Sequence, residues 1–308
     1  MSARRTGARI VFSVAVLVSV FYLFDAHAVV VTLAATDVAS MLLAVALSLG
    51  AQLFSAMRLR RLLLIQEIAL PLGRVYLIGL SAVFYGLLIP GGTVAAFAVR
   101  FARLARHARL ETVAAALVVD RVVATVFLVA IGVVAAAFDR ADPFWVSAVA
   151  VAAACGAAAV LARRRLPRLE SVAGPAPSGR LAKAVRRVSE AFLRYSTATP
   201  RQILSLVWTS LLAHVCGCLA YCAIAKGMGL DLALLTACWV RSGVILATMI
   251  PVSLAGIGLR ELAAIGLLVP LGFGEADAIG YSLLIFLVTA VIVGVIGGLS
   301  ELGQLVRR

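Results

Sequence analysis

Acidic residues and lysine are scarce in this 308-residue chain: 14 Asp and Glu face 28 basic residues, and all but two of those 28 are Arg. The resulting net charge of +14 raises nucleic acid as a partner. DNA or RNA binding needs a folded reading module, however, and no segment of the chain supplies one. Charged residues make up only 14% of the sequence and aromatic residues 7%, whereas 63% are hydrophobic, and the mean hydropathy is +1.09. So little polar surface cannot cover a globule in water, which excludes a soluble enzyme and leaves an integral membrane protein. The cysteines, Cys155, Cys216, Cys218, Cys222 and Cys238, are odd in number and sit in apolar stretches. They form neither a disulfide framework nor a paired CxxC zinc site. P-loop, GxSxG and HExxH motifs are also missing, so no ATP site, nucleophile elbow or zinc-protease helix is expected, and no cofactor.

What is present is apolar sequence in spanning lengths. Six unbroken runs are expected to cross the bilayer: 10–35, 38–57, 112–138, 143–162, 203–225 and 276–302. Two more, 75–107 and 232–272, are interrupted near their middles by Leu88-Ile89-Pro90-Gly91-Gly92 and by Ile250-Pro251-Val252-Ser253-Leu254-Ala255-Gly256. Each reads as a helical hairpin broken at its turn, because Pro removes a helical N–H and Gly loosens the backbone. The expectation is one all-α polytopic domain over 1–308, with six full transmembrane helices and two re-entrant hairpins.

The bias of Lys and Arg toward the cytoplasm orients this arrangement. With the N-terminus inside, 23 basic residues fall on the cytoplasmic side, including Arg58, Arg60, Arg61, Arg74, Arg100, Arg103, Arg106 and Arg109. The outside receives only Arg140 and Lys226, against seven acidic residues from Asp25 to Asp277. The balance survives only if both broken segments are re-entrant, the first from the cytoplasm and the second from outside. Arg100 follows Pro90 by ten residues and Arg260 follows Pro251 by nine, which supports an inverted repeat of the kind transporters use. The expected location is the bacterial inner membrane, with both termini cytoplasmic. Residues 1–28 also fit the layout of a cleavable signal peptide, but apolarity continuing through Val31 favours an uncleaved first span.

One long polar segment, 163–201, forms a basic cytoplasmic loop. After the linker Gly174-Pro175-Ala176-Pro177-Ser178-Gly179 it carries a helix over 180–195, with Leu181, Val185, Val188 and Phe192 on one face. That pattern suits either a helix lying on an anionic leaflet or a solvated connector.

Ionisable residues at membrane depth are the most informative feature, since each is costly without a partner or a wet cavity. Asp120 and Arg121 lie roughly 13 Å into their span at 1.5 Å per residue. Arg241 is comparably deep, and Arg260 with Glu261 follows the second break. Neighbours along a helix do not face each other, so partners must come from other helices. The expected pairs are Asp120 with Arg260 or Arg241, and Glu261 with Arg121. Either these are structural ion pairs only, or at least one Arg is left to grip a phosphate bidentately. At the breaks, Gly91, Gly92, Gly256 and Gly258 permit close backbone approach to an anion or tight helix packing. His214, Cys218 and Cys222 share one helical face and read as core packing rather than a soft-metal site.

The stretch Leu87-Leu88-Ile89-Pro90-Gly91-Gly92 with Arg100 and Val119-Asp120-Arg121, together with Met249-Ile250-Pro251-Val252-Ser253-Leu254-Ala255-Gly256-Ile257-Gly258-Leu259-Arg260-Glu261, resembles the transmembrane region of the lysylphosphatidylglycerol synthases, a flippase-like membrane family. Asp120 stands where the family more often has Glu, and Ala124 where an acid is common. The resemblance implies lipid movement between leaflets. The soluble aminoacyl-transferring domain of bifunctional members is not expected here, so neither is synthase activity. On this reading Arg121, Arg241 and Arg260 hold the phosphate of an anionic phospholipid or lipid-linked phosphate, and Asp120 and Glu261 orient them. A soluble anion is a further candidate substrate. The rival is a non-transporting subunit that anchors a lipid-modifying or glycosyl-transferring enzyme through the 163–201 loop. A membrane-embedded enzyme using Asp120 and Glu261 for acid/base work is a third.

Overall fold

The computed structural model describes residues 34–89, 92–139, 180–249 and 258–306. The expected spans 10–35 (but for its last two residues) and 143–162, the signal-peptide alternative, and Pro90, Gly91, Pro251 and Gly256 lie outside the described residues.

Among the described residues all regular structure is helical. Helix α1 runs Val38–Ile65, and a broken hairpin follows, α2 Leu72–Leu88 and α3 Thr93–Leu104, then α4 Leu110–Phe138. After α5, Arg180–Leu193, the order recurs: a long helix α6 Pro200–Gly227, a hairpin of α7 Leu234–Thr248 and α8 Leu259–Leu268, then α9 Glu275–Phe286. A π-helical segment, Leu287–Ile292, joins α9 to α10, Val293–Val306. Four stretches of the described residues are long and apolar enough to cross a bilayer: Val38–Ile65, Leu110–Phe138, Pro200–Gly227 and Glu275–Glu301. Large apolar side chains such as Leu42, Val122, Val126, Leu204 and Trp208 face outward from them, as lipid contact requires.

Local chemistry sets the ends. Asp37 caps α1 by accepting from the backbone N–H of Ala39 and Ser40, and the Ser40 side chain, with these N–H groups, holds its carboxyl below the usual range. Thr199 and Gln202 form a reciprocal capping box at α6. Both hairpins restart on a glycine with positive φ, Gly92 at 42° and Gly258 at 87°, a conformation that favours a residue without Cβ.

The two halves cross-pack. Helices α1 and α6 run antiparallel along their length: Asp37 N–H donates to the carbonyl of Gly227 at 2.8 Å, and Tyr195, just before α6, donates to the carbonyl of Leu62 at 3.2 Å. The first hairpin limb, α2, packs on α10 of the second half, and α7 packs on α4 of the first. Exchanging the halves therefore reproduces the contact pattern. Each hairpin stops partway along a long helix of the other half. Leu87, at the tip of α2, meets Gly294, about three-quarters of the way along the Glu275–Glu301 stretch. Ser242, in the last two turns of α7, meets Gly132 and donates to the carbonyl of Leu128, so that hairpin also stops partway along its long partner. The hairpin roots lie at opposite ends of the bundle: Arg103, at the root of the first, pairs with Glu301, whose carboxylate also accepts from Tyr85 near the tip of α2. Asp139 accepts from Thr236 at 2.6 Å and Trp239 at 2.9 Å at the second.

Glycines make the α2–α10 approach possible. A Cβ on Gly297 would collide with the carbonyl of Leu80, and one on Gly298 would press on the Phe84 ring. Gly297→Val should therefore force these helices apart and cost about 1–3 kcal/mol, the range for overpacking; a lowered thermal midpoint in detergent reports it, and an unchanged midpoint refutes the close approach.

Two expectations need correction. The first described span does not end at Met57: α1 continues to Ile65, so Arg58, Arg60 and Arg61 are helical and Arg58 is buried, not a loop charge. The 180–195 helix is present over Arg180–Leu193, but it is docked rather than a free connector. Ala191 and Tyr195 are buried against Leu62 and Ala115, and Gln66 donates to the carbonyl of Ala191 at 2.6 Å. Burial pushes the Tyr195 hydroxyl up to about 12. Val188 and Phe192, from the predicted apolar face, remain exposed.

Candidate functional site

A cavity of about 300 Å³ lies between the hairpin limbs, bounded by α1, α3, α4, α6 and α7. Its charged lining is Arg58 from α1, Arg100 from α3, Asp120 and Arg121 from α4, and Arg241 from α7. A second cavity of about 180 Å³ adjoins it, sharing Ala51, Gln52, Arg241 and Ile245 and reaching Arg260 and Thr289. Arg241 stands between the two.

The carboxylate is engaged. Arg58 Nε donates to Asp120 Oδ1 at 2.7 Å, with both side chains nearly inaccessible, 3% and 8%. A second Arg58 nitrogen reaches Ser55 Oγ at 3.3 Å. Expected pairings of Asp120 with Arg260 or Arg241 are thus overturned: the extra two turns of α1 bring Arg58 opposite Asp120. Glu261 does not pair with Arg121 either. Its Oε2 accepts from the Gly258 backbone N–H at 2.6 Å and its Oε1 from Ser282 Oγ at 3.1 Å, a charge-assisted cap on α8. It thereby fixes where α8 starts, one residue before the base of Arg260.

Arg241 is held by neutral groups. His214 Nε2 lies 3.0 Å from the carbonyl of Ala124, which can only accept, so Nε2 carries the hydrogen. Nδ1 then offers a lone pair to Arg241 at 3.3 Å. The guanidinium also lies over the Tyr221 ring, 5.8 Å from its centroid, and against Gly217, where a Cβ would sit within 2.5–2.7 Å of it. Arg260 lies over Phe286 at 4.8 Å. Arg121 lines the larger cavity yet is exposed, which puts it at the open edge.

The structure therefore brings Asp120, Arg121 and Arg241 around one cavity and Arg260 into the next. Gly92 and Gly258 set the hairpin restarts rather than lining either cavity. His214 of the His214–Cys218–Cys222 face supports Arg241, and among the described residues no cluster of His, Cys, Asp or Glu has metal-holding geometry. Sequence reasoning missed Arg58, Arg100 and Gln52 as lining residues. The signal for Arg100 was its spacing from Pro90, matching that of Arg260 from Pro251; counting it as a loop charge concealed it.

Long apolar helices, packed in two halves around an arginine-lined cavity, define a multi-pass membrane protein. The family profile described as Lysylphosphatidylglycerol synthase TM region matches residues 8–297, and the chain belongs to that family. Neither a curated protein nor a solved structure matches it.

Proposed function

We propose that the protein moves a phosphate-bearing lipid between leaflets, passing the headgroup through the two adjoining cavities while the acyl chains stay in the bilayer. The observation that carries this reading is the charge of the larger cavity: four guanidiniums against one carboxylate, in a setting where unbalanced charge is expensive. An anion is the natural complement, and a guanidinium fits a phosphate bidentately. Six crossings with hairpins re-entrant from opposite faces, arranged as an inverted repeat, agree with the cross-packed halves and with hairpins that stop partway along their long partners. The basic end, carrying Arg60, Arg61, Arg74, Arg106 and Arg109, faces the cytoplasm, and the end carrying Asp37, Asp139, Asp231 and Glu275 faces outward. The protein acts as a transporter and not as an enzyme. Arg187 and Arg194 of the 163–201 segment reach Glu111 and Glu67 of the same chain, which favours this reading over an anchor for another enzyme.

Leaflet exchange of labelled anionic and zwitterionic phospholipids in liposomes holding the purified protein tests it. Arg260→Ala should slow anionic exchange about 10- to 100-fold, as expected from losing a hydrogen bond to a charged group. Full exchange by that variant, or none by folded wild type, overturns the reading.

A further inference from the structure

We infer that the larger cavity selects a phosphomonoester headgroup, a dianion, over a phosphodiester or zwitterionic one, and that Arg100 is the residue that makes this distinction. The inference rests on the headgroup reading of the cavity and deepens it.

Charge is the first support. Arg58 and Asp120 neutralise each other at 2.7 Å. Arg100, Arg121 and Arg241 remain on the lining, and none of the three makes an ion pair with a described carboxylate. Arg241 is satisfied by uncharged groups, His214 and the Tyr221 ring. The cavity therefore holds four positive groups against one negative, an excess of three. A phosphodiester brings a single negative charge. A phosphomonoester, with its second ionisation near pH 6, brings close to two above neutrality, with three oxygens to accept. The dianion leaves the smallest residual charge in a poorly screened space.

Geometry is the second. Arg100 Nε is fully buried and has no hydrogen-bond partner among the described residues, although a guanidinium offers five N–H donors in a fixed fork. Buried donors of this kind are nearly always satisfied, so an unmet one on a cavity wall calls for an acceptor from outside the protein. Arg100 comes from the first hairpin and Arg241 from the second, so an anion gripped by both ties the two hairpins together. A diester's alkyl substituent would occupy one of the oxygens those donors need.

Binding to the full chain in detergent tests this apart from transport. Dioctanoyl phosphatidic acid and dioctanoyl phosphatidylmethanol differ by one methyl ester and are titrated calorimetrically at pH 8. We expect phosphatidic acid to bind at least about tenfold tighter, in line with the strength of charge-assisted hydrogen bonds. Arg100→Gln should remove that preference by weakening phosphatidic acid alone, and Arg100→Lys, which keeps the charge, should retain part of it; elution as a single species checks that each variant is folded. Equal affinities in wild type, or equal weakening of both lipids by Arg100→Gln, overturn the inference. Inorganic phosphate is the arm for a soluble source: displacement of phosphatidic acid at equal concentration assigns the site to free phosphate and overturns the lipid assignment, while failure to displace supports it. Leaflet exchange tests translocation separately, so loss of exchange with selective binding intact refutes movement and leaves the headgroup preference standing.

Discussion

Asp120→Asn should cost the fold about 3–5 kcal/mol, the range for removing one member of a buried ion pair. The Arg58 guanidinium, 2.7 Å from the carboxylate and almost wholly inaccessible, would be left charged with an amide that cannot balance it. The pair also joins α1 to α4 beneath the cavity, so its loss should shift both helices. Replacing both partners by apolar residues of similar volume, Arg58→Met with Asp120→Leu, should recover most of that stability, since paired burial often gains little over hydrophobic packing. Thermal unfolding of the purified variants measures both. An Asn variant as stable as wild type would show that the pair is not what holds these helices. A stable double variant that no longer exchanges lipid would separate the pair's electrostatic part in the cavity from its structural one.

The second large effect falls on activity and leaves stability nearly untouched. Gly217→Ala places a methyl group within 2.5–2.7 Å of the Arg241 guanidinium. The obstacle is the far end of a flexible side chain, so the helices need not move; the guanidinium is displaced instead from His214 and the Tyr221 ring. Because Arg241 lines both cavities, its displacement should, on the proposed headgroup route, interrupt passage between them and slow leaflet exchange about 10- to 100-fold, the loss expected for one charge-assisted contact. The thermal midpoint should stay near the wild-type value. Unimpaired exchange would remove Arg241 from the path, and a large drop in midpoint would recast Gly217 as a packing residue.

Hydropathy and two Pro-Gly interruptions placed both hairpins close to their observed limits, because an apolar run broken by Pro and a positive-φ glycine has few other ways to fold. The same reasoning singled out Asp120, Arg121, Arg241 and Arg260, which line the two cavities. It failed at Arg58 and Arg100. Averaging treats an arginine at the edge of an apolar run as the end of a span, whereas a helix continues through it when a facing carboxylate or cavity accepts the guanidinium. Pairing was illegible for a related reason. The rotation of α1 against α4 decides that Asp120 meets Arg58, and no pattern within one helix encodes that rotation. Glu261 was misassigned because its hydrogen bonds run to its own helix start, a use that competes with any distant arginine.

The cross-packing of the halves carries a consequence for biosynthesis. Since α2 rests on α10, it is made some two hundred residues before the glycine face that will cover it. Until Gly294, Gly297 and Gly298 emerge, α2 waits without the close-packed partner that these glycines provide. The second half therefore closes onto the first, and α10 acts as the clasp between the two halves.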